Sequence, residues 1–181
     1  MQEVSINKQM KLSEHFTLGE LCKTKHDTED GNIPSHVAIE NLKRICENWL
    51  EDLRYSYNML YVHSGVRPQS KVAGDCTLAP DPGAAPETEE PIIINSGYRS
   101  PAVNLLAGGA KTSNHLSGCA VDIRCAGKEQ MIRYASILVD IADGTKQDFD
   151  ELLLEQHGSV CWLHFAVRPK DNRRRIGFIR T

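Results

Sequence analysis

SNHLSGCAVDI, residues 113–123, sets His115 and Asp122 seven positions apart with Gly118 between them. Locally it is a polar turn running into a strand. Alternation through 119–125 sends Cys119, Val121 and Ile123 to one face and Ala120, Asp122 and Arg124 to the other. Asp122 therefore does not share a side with the apolar residues, and His115 and Asp122 become candidate arms of a metal site. The rest of the chain must supply a third ligand, a base and something to hold a substrate.

Upstream of that stretch, PIIIN (91–95) is a brief β-branched run suited to a buried strand ending at Asn95. SGYRSP then turns, and VNLLA forms a short helix closed by Gly108-Gly109 before a polar loop delivers His115. Downstream, Lys128 to Ala142 reads as an amphipathic helix with Met131, Ile132, Ala135, Leu138, Val139 and Ala142 in one stripe and Gly144 as its stop. FDELLLEQ and CWLHFAV are two strands joined by the tight connection HGS.

Nearer the N-terminus, Ala38, Leu42, Ile45, Trp49 and Leu53 recur at steps of four and three, which predicts a core-packed helix from Pro34 to about Tyr55. FTLGELCK predicts a short helix with Thr17 and Glu20 as a capping box. Residues 63–91, where GDCTLAPDPGAAPETEEP alone holds four of the eight prolines and there is almost no periodicity, read as an exposed loop insertion. The order of elements favours an α+β fold, a small antiparallel sheet with flanking helices, in one domain spanning 1–181.

Composition narrows the function classes. A net charge of −3 and a pI near 6.2 provide no basic field to draw the chain onto nucleic acid. Arg173, Arg174 and Arg175 read as a solvated strand edge. No apolar run reaches the roughly 20 residues of a membrane span, and the first residues lack the apolar core of a secretory signal, so the chain is expected to be made in the cytoplasm. Six cysteines without a CxxC pair are expected to be mostly free, buried thiols, and Cys119 and Cys125 are too far apart along a strand to bridge.

His164, between Leu163 and Phe165, is the third ligand candidate. Alone it reads more readily as a hydrogen-bonded core histidine, and Asp122 alone as an arginine partner. Jointly, two imidazoles and one carboxylate form a donor set suited to catalytic zinc, with a position left for water whose pKa the cationic centre lowers.

These residues resemble the zinc D-alanyl-D-alanine carboxypeptidases and L-alanyl-D-glutamate endopeptidases of bacteria and their phages. Ser113, His115, Gly118, Ala120 and Asp122 match every fixed position of that family's Ser-x-His-x-x-Gly-x-Ala-x-Asp stretch. WLHFAV is similar to its later histidine strand, SGYRSPAVN to the segment before its first histidine, and LSEHFTLGEL to the start of phage and prophage members. The resemblance implies Zn2+ held by His115, Asp122 and His164, and the α+β fold shared with the hedgehog signalling domain. It further implies hydrolysis of peptidoglycan stem peptides by a protein that reaches the wall on phage or prophage lysis, and we expect a monomer.

Many members of that family place a glutamate general base three residues before the last histidine, where this chain has Cys161. Glu155, at the end of FDELLLEQ, resembles the arrangement of hedgehog and phage-type members and is preferred. Glu151 has the same strand parity and competes with it, and the hairpin favours the nearer residue. Cys161 as a further soft ligand would close the site to water. Arg99 either ties down a loop or clamps a substrate carboxylate and stabilises an oxyanion. Ser113 either binds substrate or caps its loop. The alternative function is a zinc-stabilised cell-wall-binding or phage structural module without catalysis.

Overall fold

The computed structural model describes residues 7–62 and 89–180. The strands are β1 (Ile94–Ser96), β2 (Ala120–Cys125), β3 (Glu151–His157), β4 (Val160–Ala166) and β5 (Arg175–Arg180), in one sheet of order β1-β2-β4-β3-β5. All neighbours are antiparallel except β3 and β5. The helices are α1 (Leu18–Leu21), α2 (His36–Ile45), α3 (Glu51–Tyr57), α4 (Pro101–Leu106) and α5 (Lys128–Thr145). This is the expected α+β arrangement of a sheet with flanking helices. The proposed insertion at 63–91 lies, for residues 63–88, outside the described residues.

The strand period of two divides the sheet into two chemically different faces. Val121, Ile123 and Cys125 of β2, Cys161, Leu163 and Phe165 of β4, and Leu152 and Leu154 of β3 all join the buried core. Trp49, fully buried, meets Phe165 and Phe149 edge-on at centroid distances of 5.1 and 6.4 Å, contacts worth about 1 kcal/mol each beyond their area. On the opposite face Ser96, Asp122, His164, Leu153 and Gly177 form one row across all five strands, because Asp122 pairs with His164 and His164 with Leu153.

The predicted stripe on the long helix is buried throughout: Ala38, Leu42, Ile45, Trp49 and Leu53. The helical path runs further than expected, to Val62, because π-helical turns at Cys46–Leu50 and Asn58–Val62 link and extend α2 and α3. Thr17 and Glu20 form the capping box of α1, with the Thr17 N–H donating to Glu20 Oε2 at 2.9 Å. In α5 the stripe is Met131, Tyr134, Ala135, Ile137, Leu138 and Ala142, whereas Ile132 is exposed. Gly144 does not stop α5; the helix ends at Thr145 and Lys146 takes the left-handed conformation, φ 57°.

Two strand expectations also shift. β1 occupies Ile94–Ser96 rather than 91–95. RIGFIR, residues 175–180, forms β5, a parallel partner of β3 that the arginine cluster and Gly177 concealed. Among the described cysteines, Cys46, Cys119, Cys125 and Cys161 are buried, Cys22 is half-buried, and all are free thiols.

Candidate metal centre and cleft

His115 reaches the site on a 3-10 turn, Asn114–Ser117, whose N-cap is Ser113. The Ser113 hydroxyl accepts the His115 N–H at 3.3 Å, so the capping role considered for Ser113 is present, and Ser113 also lines the cleft. Gly118 closes the turn at φ 68°, where a Cβ would stand 2.4 Å from the Ala38 carbonyl oxygen. Only glycine meets both the left-handed backbone and the close approach of α2. Asn41 donates to the Ser117 carbonyl at 2.9 Å, completing the attachment to α2.

The two histidines and Asp122 converge. His115 Nε2 lies 3.3 Å and His164 Nδ1 2.9 Å from Asp122 Oδ1. The three donor atoms lie within 4.8 Å of one another, so this group could hold a metal ion. His115 Nδ1 donates to the Gly97 carbonyl at 2.5 Å, which leaves Nε2 with its lone pair turned toward the cluster. The Asp122 side on Oδ2 is held by Arg99 Nη2. Two imidazole nitrogens and a carboxylate with an oriented outer shell fit a first-row divalent ion.

Electrostatics follow from this crowding. Burial opposes charge on Asp122, but His115 and His164 outweigh it and hold the carboxyl well below the usual carboxylate range. Burial would depress His164, yet Asp122 and Glu151 overcome it and raise the imidazole to about 9.

Glu151 and Glu155 both face the cleft, and register places each diagonally from His164: Glu151 pairs with Ala166 and Glu155 with Trp162, on either side of the Leu153–His164 pair. Nearness to the hairpin therefore does not separate them. Their surroundings do. Glu151 Oε1 accepts from Arg175 at 2.9 Å and Arg173 at 3.0 Å, and its Oε2 faces His164 Nε2 at 3.7 Å. His164 foremost, with the arginines, lowers its pKa to about 2. Glu155 is instead pushed up by burial, against the opposing influence of His164, Arg99 and a hydrogen bond from Trp162.

Cys161 lies on the core face, paired across strands with Cys125, because a three-residue step in a strand reverses the side chain relative to His164. It faces away from the row that holds Asp122 and His164. Arg99 lines the cleft with 18% of its side chain exposed, and its Nε donates to Ser96 Oγ at 2.8 Å. The loop-tying and cleft-lining roles coincide, since its backbone N–H also donates to the His115 carbonyl at 3.1 Å.

The cleft encloses about 1060 Å³ and runs from Lys23, Lys25 and His26 past the cluster to Arg168, Arg173 and Arg175. His26 is half-buried in that wall. The arginine cluster is not a simple solvated edge: Arg173 and Arg168 pair with fully buried Asp150 at 2.8 and 3.0 Å, and Arg174 with Asp148 at 2.9 Å. Asp150 was not singled out in the sequence; an aspartate directly before an apolar strand is its only local signal. No helix among the described residues is long and apolar enough to cross a membrane.

Residues 86–150 match the family model Peptidase M15. That interval carries Arg99, Ser113, His115 and Asp122 and stops before Glu151, Glu155 and His164. The sheet with flanking helices is consistent with the fold of those peptidases. No curated protein matches the chain.

Proposed function

We propose that the chain is a zinc-dependent metallopeptidase that hydrolyses peptide bonds in peptidoglycan stem peptides, as a D-Ala-D-Ala carboxypeptidase or an endolysin-type endopeptidase. The observation that carries this reading is the convergence of His115 Nε2 and His164 Nδ1 on Asp122 Oδ1, inside a cleft that also holds a carboxylate with a raised pKa. The Peptidase M15 match over 86–150 supports the peptidase class.

His115, Asp122 and His164 would hold the zinc ion, which when bound supplies a Lewis acid that eases deprotonation of water and polarises the scissile carbonyl. Glu155 takes a proton from the attacking water and returns it to the leaving amine as the amide C–N bond breaks. Its partial burial suits this exchange, because desolvation raises the carboxyl pKa and makes Glu155 a better proton acceptor than a solvated glutamate. Arg99 orients Asp122 and sets a positive charge beside the developing oxyanion.

Six cleft residues, Lys23, Lys25, Arg99, Arg168, Arg173 and Arg175, outnumber the three lining carboxylates, Asp122, Glu151 and Glu155. Lys23 and Lys25 form no ion pair with another described residue and are exposed. This excess cationic charge, in a chain of net charge −3, suits an acidic peptide such as a wall stem peptide.

Zinc-loaded protein incubated with purified peptidoglycan should release new amino groups, with the fragment termini read by mass spectrometry. Glu155→Gln should abolish release, a loss of about 10²- to 10⁴-fold, while the bound zinc stays unchanged. A wild type that keeps zinc and cleaves no wall peptide would establish the non-catalytic binding module instead.

A further inference from the structure

We propose that Glu151 is a positioning residue for the candidate metal centre: clamped by Arg173 and Arg175, it holds the His164 ring with Nδ1 turned to the ligand cluster and Nε2 turned away. This rests on the reading of His115, Asp122 and His164 as metal ligands and adds a residue beyond them.

The two nitrogens of His164 face different carboxylates. Nδ1 is 2.9 Å from Asp122 Oδ1, within the cluster, and Nε2 is 3.7 Å from Glu151 Oε2. The second distance is an ion-pair separation rather than a direct hydrogen bond, so Glu151 acts on the ring by charge and orientation. A carboxylate behind the nitrogen that does not bind metal favours the proton there and strengthens the other nitrogen as a donor.

Glu151 is unusually well fixed for that task. Its Oε1 accepts from both Arg175 and Arg173. Its Oε2 also accepts from Asn114 Nδ2 at 3.3 Å. The same Asn114 amide donates to buried Asp150 at 2.8 Å, and its Oδ1 accepts from Arg168 Nε at 3.0 Å. Asn114 is the residue before His115. One network of two acids, three arginines and one amide therefore borders both histidines, and breaking it should loosen the pair together. Glu155 has no comparable set of partners, and the carboxylate tied into two arginines is the worse proton acceptor.

The test compares zinc affinity, by chelator competition, of wild type, Glu151→Gln and Glu155→Gln, with thermal unfolding of the metal-free forms and the cobalt-substituted visible spectrum as companions. Glu151→Gln should weaken zinc binding by about 10- to 100-fold and shift the cobalt bands. Glu155→Gln should leave affinity within about twofold and abolish cleavage. Glu151→Asp, which keeps the charge, should recover part of the affinity; this separates positioning from a folding defect if the Gln variant melts early. Unchanged affinity and cobalt spectrum in Glu151→Gln would overturn the proposal while leaving the metal site intact. Unchanged affinity with lost cleavage would overturn it and make Glu151 the base. A wild type that binds no zinc would remove the metal-site reading, and this proposal with it.

Discussion

The two ends of the cleft place the same side chain in opposite conditions. Glu151 and Glu155 lie on one strand, on one face, each a diagonal step from His164. At the Glu151 end, Arg173, Arg175 and Asn114 surround the carboxylate and its pKa falls to about 2. At the Glu155 end the neighbours are Trp162 across β4 and Ile179 across β5, and burial raises the pKa. On the proposed reading, equal geometry with unequal electrostatics gives the two carboxylates unequal work: an ionised anchor at the Glu151 end and a proton acceptor at the Glu155 end.

The largest expected effect is on turnover at the Glu155 end. Glu155→Gln should lower kcat by about 10²- to 10⁴-fold, whereas Glu151→Gln, assayed with zinc in saturating excess, should retain most of kcat. Similar kcat losses in the two variants would erase the distinction. The next effect is on stability at the Glu151 end. Asp150 is fully buried and paired with Arg168 and Arg173, so Asp150→Asn should cost about 3 kcal/mol in urea unfolding.

The same acids set an acid limit. Burial opposes charge on Asp150 but Arg173, Asn114 and Arg168 prevail and lower its pKa, as His164 and the arginines do for Glu151. A folded-state pKa below the unfolded one adds stability that is present above about pH 4 and is lost as pH falls through the folded value. Metal-free wild type should therefore lose stability between about pH 4 and 2, and Asp150→Asn should lose less over that window. An acid transition identical in both would remove Asp150 from the account.

Smaller effects belong to the rim. Trp162 lowers the Glu155 pKa by its hydrogen bond, so Trp162→Phe should move the acid limb of kcat/KM to higher pH, by less than about one unit. Replacing Lys23 and Lys25 together by alanine should raise KM for an acidic wall peptide about two- to fivefold, in a salt-sensitive manner, with kcat unchanged. An equal KM change for a neutral peptide would break the link to charge.

Much of this molecule is legible along the chain because period and punctuation are local. The stripe from Ala38 to Leu53, the Thr17 cap, the alternation that turns Asp122 from the core, and the hairpin around Gly158 all follow from residues within a few positions. β5 was hidden because the flanking arginine cluster and Gly177 read as a solvated edge, and its pairing with β3 lies more than twenty positions away. Ile132 was misplaced because a stripe of period 3.6 has soft edges that only neighbouring elements resolve.

The residue types and spacings were enough to nominate His115, Asp122 and His164 and to set them on elements of the right kind. Which nitrogen of each ring faces Asp122, that Cys161 turns into the core, and that one glutamate is clamped by arginines while its half-buried twin is not were decided by strand register and by Arg173 and Arg175, at and just before the start of β5. Side-chain charge is written in the sequence, but the field each charge feels depends on distances of a few ångströms between distant segments, and only the fold sets those.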